Sequence, residues 1–360
     1  MILKAINQVQ SQDVLGKPLF LQNGSLLAAA GIKLTNRMIE RIRRLGIDHI
    51  YVEDAHTQDI VPEDVVSEET RREAVSAVRR TMLQMVDTSS MRSRAASYEV
   101  GTAFRNVFNN ILKEISGRDQ VMINLTSMNT TDGYLFHHSV NVAILAGIIG
   151  MAMGYNRSQL EELGIGALLF DIGMIQVEQQ VWNKKDGLTD EDRKRIEQHT
   201  QLGFDLLRNR FDIPLLSAHC AYQHHERYDG LGYPRQLKGQ EIHEYAQLVS
   251  ISDVYDALTS VRPYRKRLRP AEAIEYLFGS GNGQFELALV QRFTEHICIY
   301  PVSTTIMLST GQIGVVSANH KGNVQRPTVR VLRDEGGLEL KSPYEIDLRK
   351  HLNVTIISSL

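Results

Sequence analysis

The sequence predicts a mainly α protein: a helical bundle domain with a small α/β N-terminal module and a small C-terminal β extension. Three observations carry that prediction. Apolar residues recur at three- and four-residue spacing between about Tyr98 and Tyr300. Short apolar runs broken by Gly and Asn precede this region. Beyond it, apolar and polar residues alternate around Thr-Gly and Gly-Gly turns.

Composition bounds the class. The chain has 360 residues, enough for two or three domains, with 42% hydrophobic and 23% charged residues. Forty basic and 42 acidic side chains give a net charge of −2, which argues against a nucleic-acid surface spread over the whole chain, so no DNA partner is expected. Two cysteines, Cys220 and Cys298, imply no disulfide framework and a reducing, cytoplasmic setting. MILKAINQVQ turns polar too soon for a signal peptide. The apolar run from Val142 to Met153 is shorter than the roughly 20 residues a membrane span needs.

In chain order, residues 1–64 form the first module. DVLGKPLFLQNGSLLAAAGIKLT suggests hairpin strands, and TNRMIERIRRLGI, from Thr35, an amphipathic helix with Ile39, Ile42 and Leu45 on one face and Gly46 ending it. IDHIYVED reads as the last strand. Residues 65–97 form a charged helical connector, VVSEETRREAVSAVRRTMLQMV, which offers a surface for a homodimer. Residues 98–300 are the bundle, with helical spacing in Val107–Ile115, Val140–Met153, Ile196–Leu207 and Ala271–Leu277, and stops at Gly154, Gly187 and Pro214. Residues 301–360 are the β extension, read as a meander.

Inside the bundle, histidines and aspartates stand out. His138 opens the helix HHSVNVAILAG; Asp171 lies alone in the uncharged run ALLFDIGMIQ; His199 lies in KRIEQHTQLGFDLL. His224 and His225 close HCAYQHHE before the turn RYDGLGYP, and Asp253 lies in VSISDVYDALTS. An isolated carboxylate in apolar surroundings needs a partner. A bundle can bring such groups to one interior point, and imidazole with carboxylate suits iron, manganese, nickel or zinc. Taken one at a time, each has a plainer reading. A single helix histidine is more often a surface or satisfied core residue, Asp171 would cap a helix or meet an Arg, and Asp253 with Asp256 would mark an exposed helix face. His137, His219, His243 and His296 keep that plainer reading.

HHERYDGLGYP, His224 to Pro234, followed by ISDVYDALTSVRPYR, Ile251 to Arg265, resembles the HD-GYP family of bacterial metal-dependent phosphodiesterases, over roughly Tyr98 to Tyr300. The resemblance implies an HD-type helical bundle acting on cyclic di-GMP or a related nucleotide. It also implies that His138, Asp171, His199, His224, His225 and Asp253 are metal ligands, with Asp171 bridging two ions and central to catalysis. Tyr233 is then the tyrosine of the GYP element, and Arg262 and Arg265 approach the substrate phosphate. The flanking modules resemble, more weakly, those found around this domain.

Two positions depart from the family pattern. The histidine of the His-Asp pair is Phe170, and the lysine three residues after the aspartate is Met174. Some members bind a third metal through a glutamate one turn before the first histidine; this chain has Tyr134 there, so one or two divalent ions, iron or manganese, are expected. Six of seven two-metal ligands remain, which predicts a cyclic di-GMP phosphodiesterase with weakened activity. Two rival readings stand beside it. In one, a degenerate domain binds cyclic di-GMP or a signalling protein partner. In the other, the same metal chemistry serves a different nucleotide or phosphoester. Phe170 and Met174 suit the first rival, as apolar filling of the space an imidazole would take.

Overall fold

The computed structural model describes residues 1–360 apart from 22–24, 87–93, 117–132, 183, 185–186, 261–266, 321 and 360. Its described part divides into two compact units, one of residues 1–65, 133 and 295–360 and one of residues 66–116 and 134–294.

The first unit is built from both ends of the chain. Strands β1 (Ile2–Ala5), β2 (Leu19–Phe20) and β3 (Leu26–Ala28) precede helix α1 (Asn36–Arg44) and strand β4 (His49–Val52). Antiparallel β1–β4 and β2–β3 pairs give the expected α/β module. Thr35 caps α1 by accepting from the Met38 amide, and Gly46 ends it at φ +76°, a conformation that favours glycine. Ile39 and Ile42 of α1 are buried with Leu15, Leu34 and Ile50.

At the other end, β5 (Thr305–Leu308), β6 (Ile313–Ala318), β7 (Thr328–Arg333), β8 (Glu339–Asp347) and β9 (Ile356–Ser359) form a sheet in the order β8-β7-β6-β5-β9. Four strands run as the expected meander and β9 closes on β5, every pair antiparallel. The two ends share a small core of Ile2, Ile60 and Val315, and Leu3 forms a parallel bridge to Thr304.

The second unit is helical: α2 (Glu68–Val86), α3 (Arg94–Ile115), α4 (Tyr134–Ala152), α5 (Arg157–Leu169), a 3-10 turn (Ile172–Gln176), α6 (Gln179–Trp182), α7 (Asp190–Glu197), α8 (His199–Leu207), α9 (Leu215–Gln223), α10 (Glu244–Thr259), α11 (Pro270–Gly279) and α12 (Leu287–Thr294). The connector helix α2 turns Ala74, Val78, Met82 and Met85 into this unit, packing on α3 and α4.

Helix α4 is longer than the run from Val142 to Met153 suggested. Among the described residues it is the one helix long and apolar enough to cross a membrane. Residues 138–150 are nonetheless buried inside the unit, against α2, α3, α5, α10 and α12. Helix α5 packs on α4 and also approaches α3 and α9 closely, through small residues. A Cβ on Gly164 would meet the Phe108 ring at 2.3 Å, and one on Gly166 would meet Cys220 Sγ at 2.5 Å. Those close approaches set the end of α5, and Asp171 just beyond it, beside the end of α9.

The run Ile196–Leu207, expected as one helix, is instead α7 and α8 with a break at Gln198. No Gly or Pro marks it. Thr200 Oγ1 donates to Glu197 O at 2.9 Å and His199 Nδ1 meets Ile196 O at 2.6 Å, so two side chains take up carbonyls at the end of α7.

Candidate metal centre

Two elements bring three imidazoles to one point. His199 opens α8, and His224 and His225 follow the last turn of α9. His199 and His224 are each 1% exposed. Both are held through Nδ1 by backbone carbonyls: His199 by Ile196 O at 2.6 Å, His224 by Cys220 O at 3.0 Å and Ala221 O at 3.1 Å. A carbonyl only accepts, so Nδ1 carries the proton in each ring and the neutral tautomer leaves Nε2 as an acceptor. Those two Nε2 atoms face each other at 3.1 Å. Asp171 Oδ1 lies 3.3 Å from His199 Nε2 and 3.6 Å from His224 Nε2. Ligand atoms of His199, His224 and His225 all lie within 4.8 Å of one another, the one such group of three among the described residues.

A cluster of acceptors needs a cation. Burial pushes His199 below the ordinary imidazole range and His225 well below it, so the charged, doubly protonated form of either ring is disfavoured. Asp171 loses solvation, yet the neighbouring imidazoles, His224 foremost and then His199 and His138, hold its carboxyl below the usual range. Two nitrogens each about 2.1 Å from one ion, at right angles, stand about 3 Å apart. The donor set around His199 and His224 therefore fits a divalent ion. Asp171 makes no side-chain cap on the turn that follows it, so the capping reading does not hold.

The His138 side is built differently. His138 on α4 is 1% exposed and has a carboxylate at each nitrogen: Asp253 Oδ1 at 2.8 Å from Nε2 and Asp256 Oδ2 at 2.6 Å from Nδ1, both from α10. Burial lowers its pKa, but the two carboxylates outweigh burial and lift it to about 10. Asp253 loses solvation too, and His138 still holds its carboxyl below the usual range. At neutral pH this half is an imidazolium between two carboxylates. An ion here must first displace the Nε2 proton. Asp253 and Asp256 are both buried, so the exposed-face reading of that helix does not hold.

Phe170, fully buried, lies between the two halves. Its ring centroid is 5.6 Å from that of His138 and 5.0 Å from that of His224, both edge-on. Tyr134 stacks on His138 with centroids 5.0 Å apart. Met174 is half-buried.

The loop after α9 holds Tyr233 against the centre. Its ring stacks on His225 at 4.8 Å, and its amide donates to His225 O at 3.2 Å. Glu226, 3% exposed, accepts from the amides of Arg235 at 2.7 Å and Leu237 at 3.0 Å. A Cβ on Gly232 would meet Arg227 N at 2.4 Å, so only glycine lets the loop fold back this closely. Burial, then the charges of Asp171, Glu197 and Asp253, raise the Tyr233 phenol, which stays protonated as a donor.

Thus His138, Asp171, His199, His224, His225, Asp253 and Tyr233 stand around one interior region, in two halves: facing acceptors around His199, His224 and Asp171, and a hydrogen-bonded set around His138. Arg262 and Arg265 lie outside the described residues. Sequence reasoning missed Asp256, Asn141 and Glu226. The three-residue step from Asp253 to Asp256 was the available signal, because it puts both carboxylates on one helix face.

A family profile described as "HD domain" matches residues 113–285, and one described as "KOW domain associated with HD domain" matches residues 305–360. The cyclic di-GMP phosphodiesterase PA4108 of Pseudomonas aeruginosa is 28% identical over 312 residues, 81% of this chain and 75% of that protein. The cyclic di-GMP phosphodiesterase of Thermotoga maritima is 31% identical over 224 residues, 61% of this chain and 59% of its own length. The cyclic di-GMP phosphodiesterase response regulator RpfG of Xanthomonas campestris pv. campestris is 34% identical over 145 residues, 39% of this chain and 38% of its own. Residues 113–285 are thus an HD domain, a metal-dependent class. Its relatives are named cyclic di-GMP phosphodiesterases, and its GYP loop folds beside the paired histidines as the HD-GYP type implies.

Proposed function

We propose that this chain is a metal-dependent phosphodiesterase that hydrolyses cyclic di-GMP to a linear dinucleotide or GMP. The observation that carries the reading is the convergence of acceptors at Asp171, His199 and His224, which calls for a cation, in a family whose relatives are named for that activity. His199, His224, His225 and Asp171 would hold one ion; His138, Asp253 and the shared Asp171 a second. Imidazole and carboxylate together suit iron or manganese. Such ions, when bound, acidify water and neutralise phosphate charge.

The chain's own residues do the rest. The carbonyls of Ile196, Cys220 and Ala221 fix the rings so that Nε2 is the presented atom. Asp171 Oδ1 lies beside both presented nitrogens, 3.3 Å from His199 Nε2 and 3.6 Å from His224 Nε2. Tyr233 gives an aromatic wall beside His225 against which a base can stack, with its phenol available to a phosphate oxygen. Arg262 and Arg265 are proposed to meet the phosphate as bidentate donors. Both cysteines are buried and free, which supports a reducing, cytoplasmic setting.

A second reading, binding of the dinucleotide without turnover, draws support from Phe170, which fills the space between the two halves with apolar volume. The test is purification with anaerobic ferrous iron or with manganese, metal counting, and incubation with cyclic di-GMP. Two ions and a product that disappears in Asp171→Ala support the enzyme. One ion, measurable dinucleotide binding and no product overturn it in favour of the second reading.

A further inference from the structure

Helix α2 reaches the His138 side of the centre through two intermediate side chains. Asp256, fully buried, receives His138 Nδ1 on one carboxylate oxygen and Asn141 Nδ2, at 2.9 Å, on the other. Asn141 Oδ1 in turn accepts from the guanidinium of Arg71 on α2. An ionised carboxylate has only acceptors, so Asn141 must present its NH2 to Asp256. That choice turns the amide oxygen the other way, toward a required donor, and Arg71 supplies one. His138 and Asn141 are three residues apart on α4 and so share a face.

We infer that Arg71, Asn141 and Asp256 are positioning residues which hold His138 with Nδ1 as donor and Nε2 turned to the centre, so that α2 sets the affinity of that half for its ion. The inference rests on the reading of His138 as a ligand. A ligating imidazole keeps its second nitrogen protonated, and a carboxylate on that nitrogen fixes both tautomer and ring rotation. Without Arg71 the Asn141 Oδ1 loses its charged donor in a buried site, and the amide that pins Asp256 is no longer held from its other side. Asp256 then orients His138 less firmly. Arg71 is half-buried while Asn141, His138 and Asp256 are buried, so α2 provides the accessible end of the chain of contacts.

The experiment titrates the full chain with Mn(II) against a competing chelator at fixed pH, alongside melting temperature to verify folding. His138→Ala and His199→Ala identify which ion belongs to which half. Arg71→Met and Asp256→Asn are each expected to weaken the His138 ion about 10–100-fold, the range for groups that support a ligand, and to spare the ion lost in His199→Ala. Arg71→Lys, which keeps a donor, restores most of the affinity. Arg71→Met adds little once Asn141 is already Leu, because both break one chain. Should Asp256→Asn fail to fold, Arg71→Met decides alone. If His138→Ala loses an ion while Arg71→Met binds both as the wild type does, the inference falls and the ligand reading stands. If His138→Ala binds the same ions as the wild type, the ligand reading itself falls.

Discussion

Phe170 occupies the position where the family pattern has an imidazole, and its ring edge already meets both His138 and His224. Phe170→His is therefore expected to cost stability in the metal-free protein, about 1–3 kcal/mol for an unpaired buried polar group. With Mn(II) present the same change should raise metal content and turnover; unchanged metal content, measured by elemental analysis, would refute the idea of a depleted centre. His138 offers a second test. Its pKa rises from the ordinary 6.5 to about 10 on folding, so its share of stability is whole below about pH 6.5 and is lost as pH rises through about 10. Asp253 is shifted the opposite way, so its share is present above the usual carboxylate range and lost as pH falls through its lowered value. In chelator, the melting temperature should fall between about pH 6.5 and 10, and His138→Asn should flatten that fall. The metal-loaded protein should behave oppositely at this half, since ligation releases the Nε2 proton and binding strengthens as pH rises. The six proposed ligands were legible through the resemblance carried by HHERYDGLGYP and ISDVYDALTSVRPYR, since each taken alone has a plainer reading. Asp256 and Asn141 were not, because an acid three residues from another acid, or an amide in an apolar helix, reads as ordinary until the facing helix is known.

At the scale of elements, the site depends on where helices stop. The 3-10 turn after Asp171 lies directly on the start of α8: a Cβ on Gly173 would meet His199 O at 2.0 Å and Gly203 N at 2.7 Å. Gly173→Ala must push the turn and α8 apart, carrying Asp171 away from the His199 ring. The expected result is loss of the ion held by His199 together with a lower melting temperature, whereas Ala at Gly187, with nothing near its Cβ, should leave metal binding unchanged despite its φ of +88°. Helix spacing in the sequence located α1, α4 and α11 well, because their apolar faces or Gly and Pro stops are local features. The α7–α8 break was invisible for the opposite reason. It arises from side chains of Thr200 and His199 taking carbonyls of Glu197 and Ile196, a local competition that carries no Gly or Pro. That break makes His199 the first residue of a new helix, with its ring turned into the centre.

At the scale of the molecule, the chain's two ends make one unit, which no periodicity in either end foretells. Each end alone is a thin sheet system, and a few shared residues join them. Ile2, Ile60 and Val315 form a common core, and Arg330 of β7 donates to Asp59 Oδ2 at 2.7 Å and to His56 O at 3.1 Å. Val315 is fully buried, so Val315→Ala removes two carbons from this shared core, at about 2 kcal/mol with the cavity included. If the ends unfold as one cooperative body, that loss must appear in both. Amide hydrogen exchange should quicken at Leu3, Tyr51 and Val52 by nearly the same factor as at Val316 and Val331, roughly 30-fold for 2 kcal/mol, while the amides of α4 and α10 keep their rates. Faster exchange confined to residues 305–359 would instead mean that the β extension opens by itself and the Ile2–Ile60–Val315 core is too small to couple it to the N-terminal strands.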